Sequence, residues 1–243
     1  MRFSRLARTL SLVVLLGWTG TSLAESASGS KVYIAIFGGP QKYSMSDVNS
    51  EIRHGNEEVE GSGFVVDEIG GGTAFGAGIR VWPSAKLGLL FDFMRLAAST
   101  SKDARIDGTR VAVDIKLPAS ALTATAGYFR TWHRLRYGLG AGAGYYICNG
   151  KIEASVGTER TSSDVTGKGP GFHALAMGDI RASSLHFEAA IGYRSAKTNL
   201  QDEGGADVLA EDGSRVRADW TGLMTRFGFS IPFDPGPYPS SGQ

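Results

Sequence analysis

"RYGLGAGAGYYIC", residues 136–148, admits two readings that lead to unrelated proteins. Gly138, Gly140 and Ala143 match the G-x-G-x-x-A spacing that cradles a dinucleotide pyrophosphate. Every second residue from Gly138 to Gly144 is glycine as well, which is the period of one strand face. A dinucleotide loop needs a strand before it, a helix after it and an acid about 20 residues on. Glu159 lies near that distance, but Tyr145, Tyr146, Ile147 and Cys148 continue a strand rather than open a helix. The stretch reads as a strand. Tyr137, Leu139, Ala141, Ala143, Tyr145 and Ile147 share one face; Arg136 and the glycines share the other.

The same alternation recurs along the chain. In "GGTAFGAGIRVW" (71–82), Thr73, Phe75, Ala77, Ile79 and Val81 stand opposite Gly72, Ala74, Gly76, Gly78 and Arg80. "KLGLLFDFM" (86–94), "ALTATAGYF" (121–129) and "LHFEAAIGYR" (185–194) repeat the pattern. Eight strands are expected, near 31–39, 70–82, 85–98, 110–130, 135–148, 169–181, 184–195 and 216–233. The apolar parity changes at Pro118, which predicts a bulge or turn there. The connections run long at 40–69, 149–168 and 196–215, medium at 99–109, and short elsewhere. Long loops at one rim and tight turns at the other predict an all-β fold, an eight-stranded antiparallel up-and-down barrel, whose closure removes the sheet edges.

Alternation alone does not say which face is inside. A face exposed to water carries Lys, Glu, Thr and Ser; here the second face is glycine and alanine with scattered charges. Glycine weakens a strand in water, but small residues leave room for long side chains in a crowded lumen. Arg80, Arg136, Arg194 and Arg226 can be balanced there by Asp92, Asp179 and Glu188, because buried charges need partners. The apolar face then looks outward to lipid, and the barrel is transmembrane. Tyr137, Tyr145, Tyr193 and Phe233 fall near strand ends, where they suit an interfacial girdle or, equally, ordinary aromatic packing.

The N-terminus agrees with export. Arg2, Arg5 and Arg8 precede an apolar run from Leu10 to Trp18, and Ser22-Leu23-Ala24 supplies small residues. This predicts a secretory signal peptide over 1–24, cut after Ala24. The barrel is expected over 25–233, followed by a Pro-rich disordered periplasmic tail, 234–243. A net charge of +1 gives no electrostatic case for nucleic acid. The single cysteine, Cys148, has no intramolecular disulfide partner.

The last strand, "DWTGLMTRFGFSIPF" (219–233), alternates to a closing aromatic, with Phe229, Ile231 and Phe233 on one face. With "GGGTAFGAGIRVWPSAKLGLLFDF" (70–93), "LRYGLGAGAGYYIC" (135–148) and "HFEAAIGYR" (186–194), it resembles the small outer-membrane β-barrel superfamily, the OmpA-barrel and OmpW-like proteins of Gram-negative bacteria. The resemblance covers nearly all of 31–233 and lies in pattern rather than in an invariant motif. It implies residence in the bacterial outer membrane, with lipid and lipopolysaccharide as surroundings. It also implies that the barrel-assembly machinery reads the final strand. Phe233 is followed by the Pro-rich stretch 234–243, and a barrel without an OmpA-type peptidoglycan-binding domain is expected.

Chemistry is sparse. The superfamily includes a lipid A deacylase, so a lipid A-modifying hydrolase is one alternative. Ser184, His186 and Glu188 share a strand face, but alternate residues stand roughly 7 Å apart, too far for a working triad. The deacylase pattern of His two residues before Ser is absent at His173. His54, His133, His173 and His186 show no metal-ligand spacing. "SDVNSEIRHGNEEVEGSG" (46–63) lacks the order of a calcium loop and reads as solvated loop. No enzyme, cofactor or metal is expected. A second alternative is a narrow OmpW-like conduit for small apolar molecules, lined by Leu90, Met94, Phe129, Leu175 and Met177. The same residues can instead pack a plugged lumen, which is the favoured reading. A soluble ligand barrel is disfavoured by the Gly-rich face. The leading expectation is a structural or surface-interacting protein whose long loops face outside, where an extracellular ligand would bind.

Overall fold

The computed structural model describes residues 31–59, 61–210 and 212–233. The expected signal peptide and Pro-rich tail lie outside the described residues. The chain forms β1 (Lys31–Lys42), α1 (Ser46–Glu58), β2 (Gly71–Trp82), β3 (Leu87–Ile106), β4 (Thr109–Lys116), β5 (Ala119–Trp132), β6 (Leu135–Val156), β7 (Glu159–Ala182), β8 (Leu185–Gln201), β9 (Arg217–Asp219) and β10 (Gly222–Pro232).

All ladders are antiparallel, and β10 pairs with both β1 and β8, so the sheet closes on itself. Ten strands fill eight positions in the ring. β4 and β5 share one position: β3 pairs β5 through Leu87–Leu96 and β4 through Ser99–Ile106, and β6 flanks both on the other side. β8 likewise meets β10 along one half and β9 along the other.

One rim carries short turns: His133-Arg134, Ser183-Ser184 and the 83–86 link. At the other rim the wall continues well past the expected strand ends. The segments 99–109 and 149–168, expected to be loops, are largely strand. β3 runs to Ile106 and turns through Asp107 (φ 49°) and Gly108 (φ 82°). β6 runs to Val156 and turns through Gly157 (φ 62°) into β7. These left-handed positions suit a two-residue hairpin turn. Within 196–215, β8 extends to Gln201 and the rest is irregular. The extension carries outward Asn149, Lys151 and Lys168 and inward Cys148, Ile152 and Val165, so the contrast between the two faces is the reverse of that in the glycine-rich stretches while the backbone ladder continues.

The segment 40–69, read as solvated loop, contains α1. Only Val48, Asn49 and Ile52 of this helix are buried. Asn49 donates to the carbonyls of Ser44 and Ile69 (3.1 Å each), and the Ile69 N–H donates back to its Oδ1 (2.8 Å). Asn56 repeats the arrangement with Val66, 3.0 and 2.8 Å. Two amide side chains thus act as backbone for the extended strip at 64–69. That strip's own groups would otherwise be left unpaired on burial.

Pro118 interrupts the wall as the parity change predicts, but the facing does not flip. Odd positions point inward on both sides of it: Ile115 and Leu117 before, Ala119, Ala121 and Thr123 after, are all buried. What changes is the surroundings. Above the break the inside is an apolar core that includes Ile115, Leu117, Cys148, Val165, Leu200 and the α1 residues Val48 and Ile52. Below it the inside holds glycine, alanine, buried charges and one aromatic-aliphatic cluster, and the outside is apolar. Phe75 is 62% exposed, Leu122 64% and Leu139 70%. On β6 the outward apolar face runs from Tyr137 to Ile147, about the 9–11 residues that a tilted strand needs to cross hydrocarbon.

Candidate functional site

The lumen below the break is filled in layers, and the glycines that pattern the sequence make room for it. Nearest the short turns, Tyr33, Trp82, Leu90, Phe129, Leu175, Met177 and Ala190 form one buried cluster. Trp82 and Phe129 meet edge to face at 4.7 Å. A Cβ on Gly88, Gly127 or Gly138 would fall 2.6–3.0 Å from the Phe129 ring, so these three strand positions form its socket. Arg136 stacks over Trp82, 3.3 Å from the ring centroid, and its Nε donates to Asp179 Oδ2 at 2.7 Å. Asp179 Oδ1 holds His186 Nδ1 at 2.9 Å, and the edge of His186 meets Tyr33 at 4.9 Å.

The middle layer joins four strands. Asp92 on β3 accepts from Arg80 Nη1 and, at 2.7 Å, from Arg226 Nη1. Arg80 Nε donates to Glu188 Oε2 at 3.3 Å. All four side chains are buried. Gly78 lies against this pair; a Cβ there would collide with Asp92 Oδ1 and come within 2.7 Å of Arg80 Nη1.

Higher up, Arg194 is fully buried and donates from Nε to the Trp220 carbonyl at 2.9 Å. Its guanidinium lies 5.5 Å from the Tyr43 ring centroid and 5.9 Å from that of Tyr146. Such distances allow a cation–π attraction. His173 Nε2 meets Thr125 Oγ1 at 2.7 Å, in space left by Gly142. The α1 cap closes over this layer. The Ser46 hydroxyl shares its one proton between Asp47 Oδ1 (3.1 Å) and Asp219 Oδ2 (3.3 Å), and Arg217 Nε donates to Asp47 Oδ2 (2.8 Å).

The seven candidate lumen residues therefore fall into three groups. Arg80, Asp92, Glu188 and Arg226 are one network, Arg136 and Asp179 a second, and Arg194 stands apart without a carboxylate among the described residues. Sequence reasoning put Thr125 on the lumen face with Phe129 but did not place His173 or Trp220 in the lumen. His173 shares its strand parity with Asp179, which was the available signal. Phe229, Ile231 and Phe233 all face outward.

Chemically, each carboxylate of the two lower layers is already committed to a cation. Glu188 is held by Arg80 and His186 by Asp179, while Ser184 lies exposed in the β7–β8 turn. Among the described residues no hydrogen bond joins Ser184 to His186, and no group of three or more His, Cys, Asp or Glu could hold a metal ion.

The closed ring has a solved counterpart. The crystal structure of a major outer membrane protein from Thermus thermophilus matches with a TM-score of 0.50 and 11% identity, covering 84% of this chain and 100% of that one. At that identity the likeness carries the fold alone. No protein-family model and no curated protein matches the chain.

Proposed function

We propose that this protein is an integral outer-membrane β-barrel with a structural or surface-interacting role and a plugged lumen. The observation that carries the reading is the reversal of polarity at Leu117–Pro118. Above it the wall is built like a water-soluble protein, apolar inside and polar outside. Below it the wall is built the other way round, with buried ion pairs inside and large apolar side chains outside. Water gives no reason for that inversion; a hydrocarbon surround does. Outward tyrosines and tryptophan mark two tiers, Tyr128, Trp132 and Tyr137 near the short turns and Tyr145 and Tyr193 further up, as interfacial belts do.

In this reading the extended hairpins and the α1 cap face outside, and the short turns face the periplasm. Phe229, Ile231 and Phe233 are the residues offered to the assembly machinery, and lipid and lipopolysaccharide surround the wall. The barrel would stand with the OmpA and OmpW types and would not be an enzyme: Ser184 makes no hydrogen bond to His186, and the Thr125–His173 pair is buried in the packed lumen. Cell fractionation with heat-modifiable gel mobility tests this. The mature chain should sediment with outer membranes and migrate faster unboiled than boiled. A detergent-free soluble protein would overturn the reading.

The conduit alternative has one observation in its favour: Leu90, Met94, Phe129, Leu175 and Met177 all face the lumen. Leu90, Phe129, Leu175 and Met177 pack into one cluster, which favours filling over passage.

A further inference from the structure

The outward wall carries a depression beside β6, β7, β8 and β10. Along two neighbouring rows the register runs Tyr137–Gly178–Ala189–Phe227 and Leu139–Ala176–Ile191. Small residues on β7 and β8 make a floor between large side chains on β6 and β10. The result is a largely apolar groove of about 830 Å³ on the outside of the barrel, within the size range of small-molecule sites. Gly178 is not required there by packing. A Cβ at this position would meet nothing closer than 3.7 Å, and its φ is not in the left-handed region. The lumenal glycines differ in this respect, since a Cβ on them collides.

The groove has a charged end. Arg130 pairs across the ladder with Tyr137 and lines the groove. It is exposed and has no ion-pair or hydrogen-bond partner among the described residues. It belongs to a one-sign rim. The exposed ionisable residues around the short turns include Lys31, Lys86, Arg130, Arg134 and Arg181. Among the described residues the acids at that level, Asp179 and Glu188, are buried in the lumen.

We propose that the groove binds an acyl chain of an anionic phospholipid from the leaflet at the short-turn rim, with the lipid phosphate on Arg130. The inference rests on the membrane-barrel reading above. Apolar floor and walls suit an acyl chain, and a free guanidinium suits a phosphate by paired, charge-assisted hydrogen bonds. Lipopolysaccharide would occupy the opposite leaflet and so would not reach Arg130.

The test is native mass spectrometry of the mature protein released from nanodiscs of equal phosphatidylglycerol and phosphatidylcholine. The wild type should retain phosphatidylglycerol over phosphatidylcholine by about fivefold, the scale of one cation at a membrane surface. Arg130→Gln should bring the ratio to parity, and Lys31→Gln, three strands from Arg130 around the ring, should not. Gly178→Leu should reduce retention of both lipids. Equal retention by wild type and Arg130→Gln overturns the site, as does an equal loss in Lys31→Gln. A protein that inserts and shows heat-modifiable mobility but retains no lipid defeats this inference alone. One that does not insert defeats the membrane reading with it.

Discussion

Arg226 on β10 reaches Asp92 on β3 across the interior, past the two strands that separate them in the ring, with Nη1 to Oδ2 at 2.7 Å. The same carboxylate takes a second guanidinium, that of Arg80. One carboxylate therefore ties together β2, β3 and β10, and Glu188 adds β8.

Removing that carboxylate should be severe. Asp92→Asn leaves two buried guanidinium groups short of a counter-charge, and breaking a buried pair costs about 3–5 kcal/mol. Urea unfolding followed by gel mobility should show the loss. Cys148, fully buried and the chain's only cysteine, offers an independent readout. A maleimide should label it slowly in the wild type and faster in Asp92→Asn at the same urea concentration.

Two glycines in the same wall should respond in opposite ways. Gly78→Ala places a methyl group against Asp92 and Arg80 and should weaken the ion pair, at a cost of about 1–3 kcal/mol. Gly178→Ala enters open space on the outer wall and should fall within about 0.5 kcal/mol of wild type. Unfolding midpoints of the two variants measured side by side decide this.

The cap should loosen in acid. Burial pushes the Asp47 carboxyl up, but hydrogen bonds from Arg217 and Ser46, with the charge of Arg217, outweigh it and leave Asp47 below its ordinary pKa of 3.8. A depressed acid contributes its stabilisation fully above the unfolded pKa and loses it as pH falls through the lower folded value. Peptic cleavage within residues 46–58 should therefore rise as pH drops below about 4. In Asp47→Asn the cleavage should be already raised at pH 4 and change less on further acidification.

Opening the cap should not open the barrel. Asn49→Ala strips hydrogen bonds from the Ile69 backbone, a local cost of about 1–3 kcal/mol, and Ile52→Asp adds a charge under the helix. Planar-bilayer recordings of the double variant should stay silent, because the Arg80–Asp92 layer and the Trp82–Phe129 layer remain below. Conductance in this variant would mean that α1 is the gate and would favour the conduit reading.

Much of the wall was legible in sequence because two environments meet across it. Gly138 to Gly144 alternating with Leu139 to Tyr145 is a contrast that period two makes visible. The hairpin at 149–168 was missed although Ile152, Ala154 and Val156 alternate with Lys151, Glu153 and Ser155, because the contrast is reversed there: the outward face is polar and the inward one apolar. The Asp107-Gly108 turn was a usable signal, since that dipeptide suits a tight hairpin. Helix α1 hid because it buries an asparagine. Asn49 does through hydrogen bonds what a hydrophobic pattern would have advertised. The lumen charges could be listed from parity alone, but not their grouping, which depends on register between strands far apart in the chain.

The break at Leu117–Pro118 has a consequence for how the protein would sit. A vessel floats where its hull tells it to, and here the waterline is written into the chain. The outward side chains are polar on one side of that mark, as at Lys116, and apolar on the other, as at Leu122, so a vertical shift of a few residues would put Lys116 into oil or Leu122 into water. In the membrane reading, depth of immersion would then be a property of the covalent sequence.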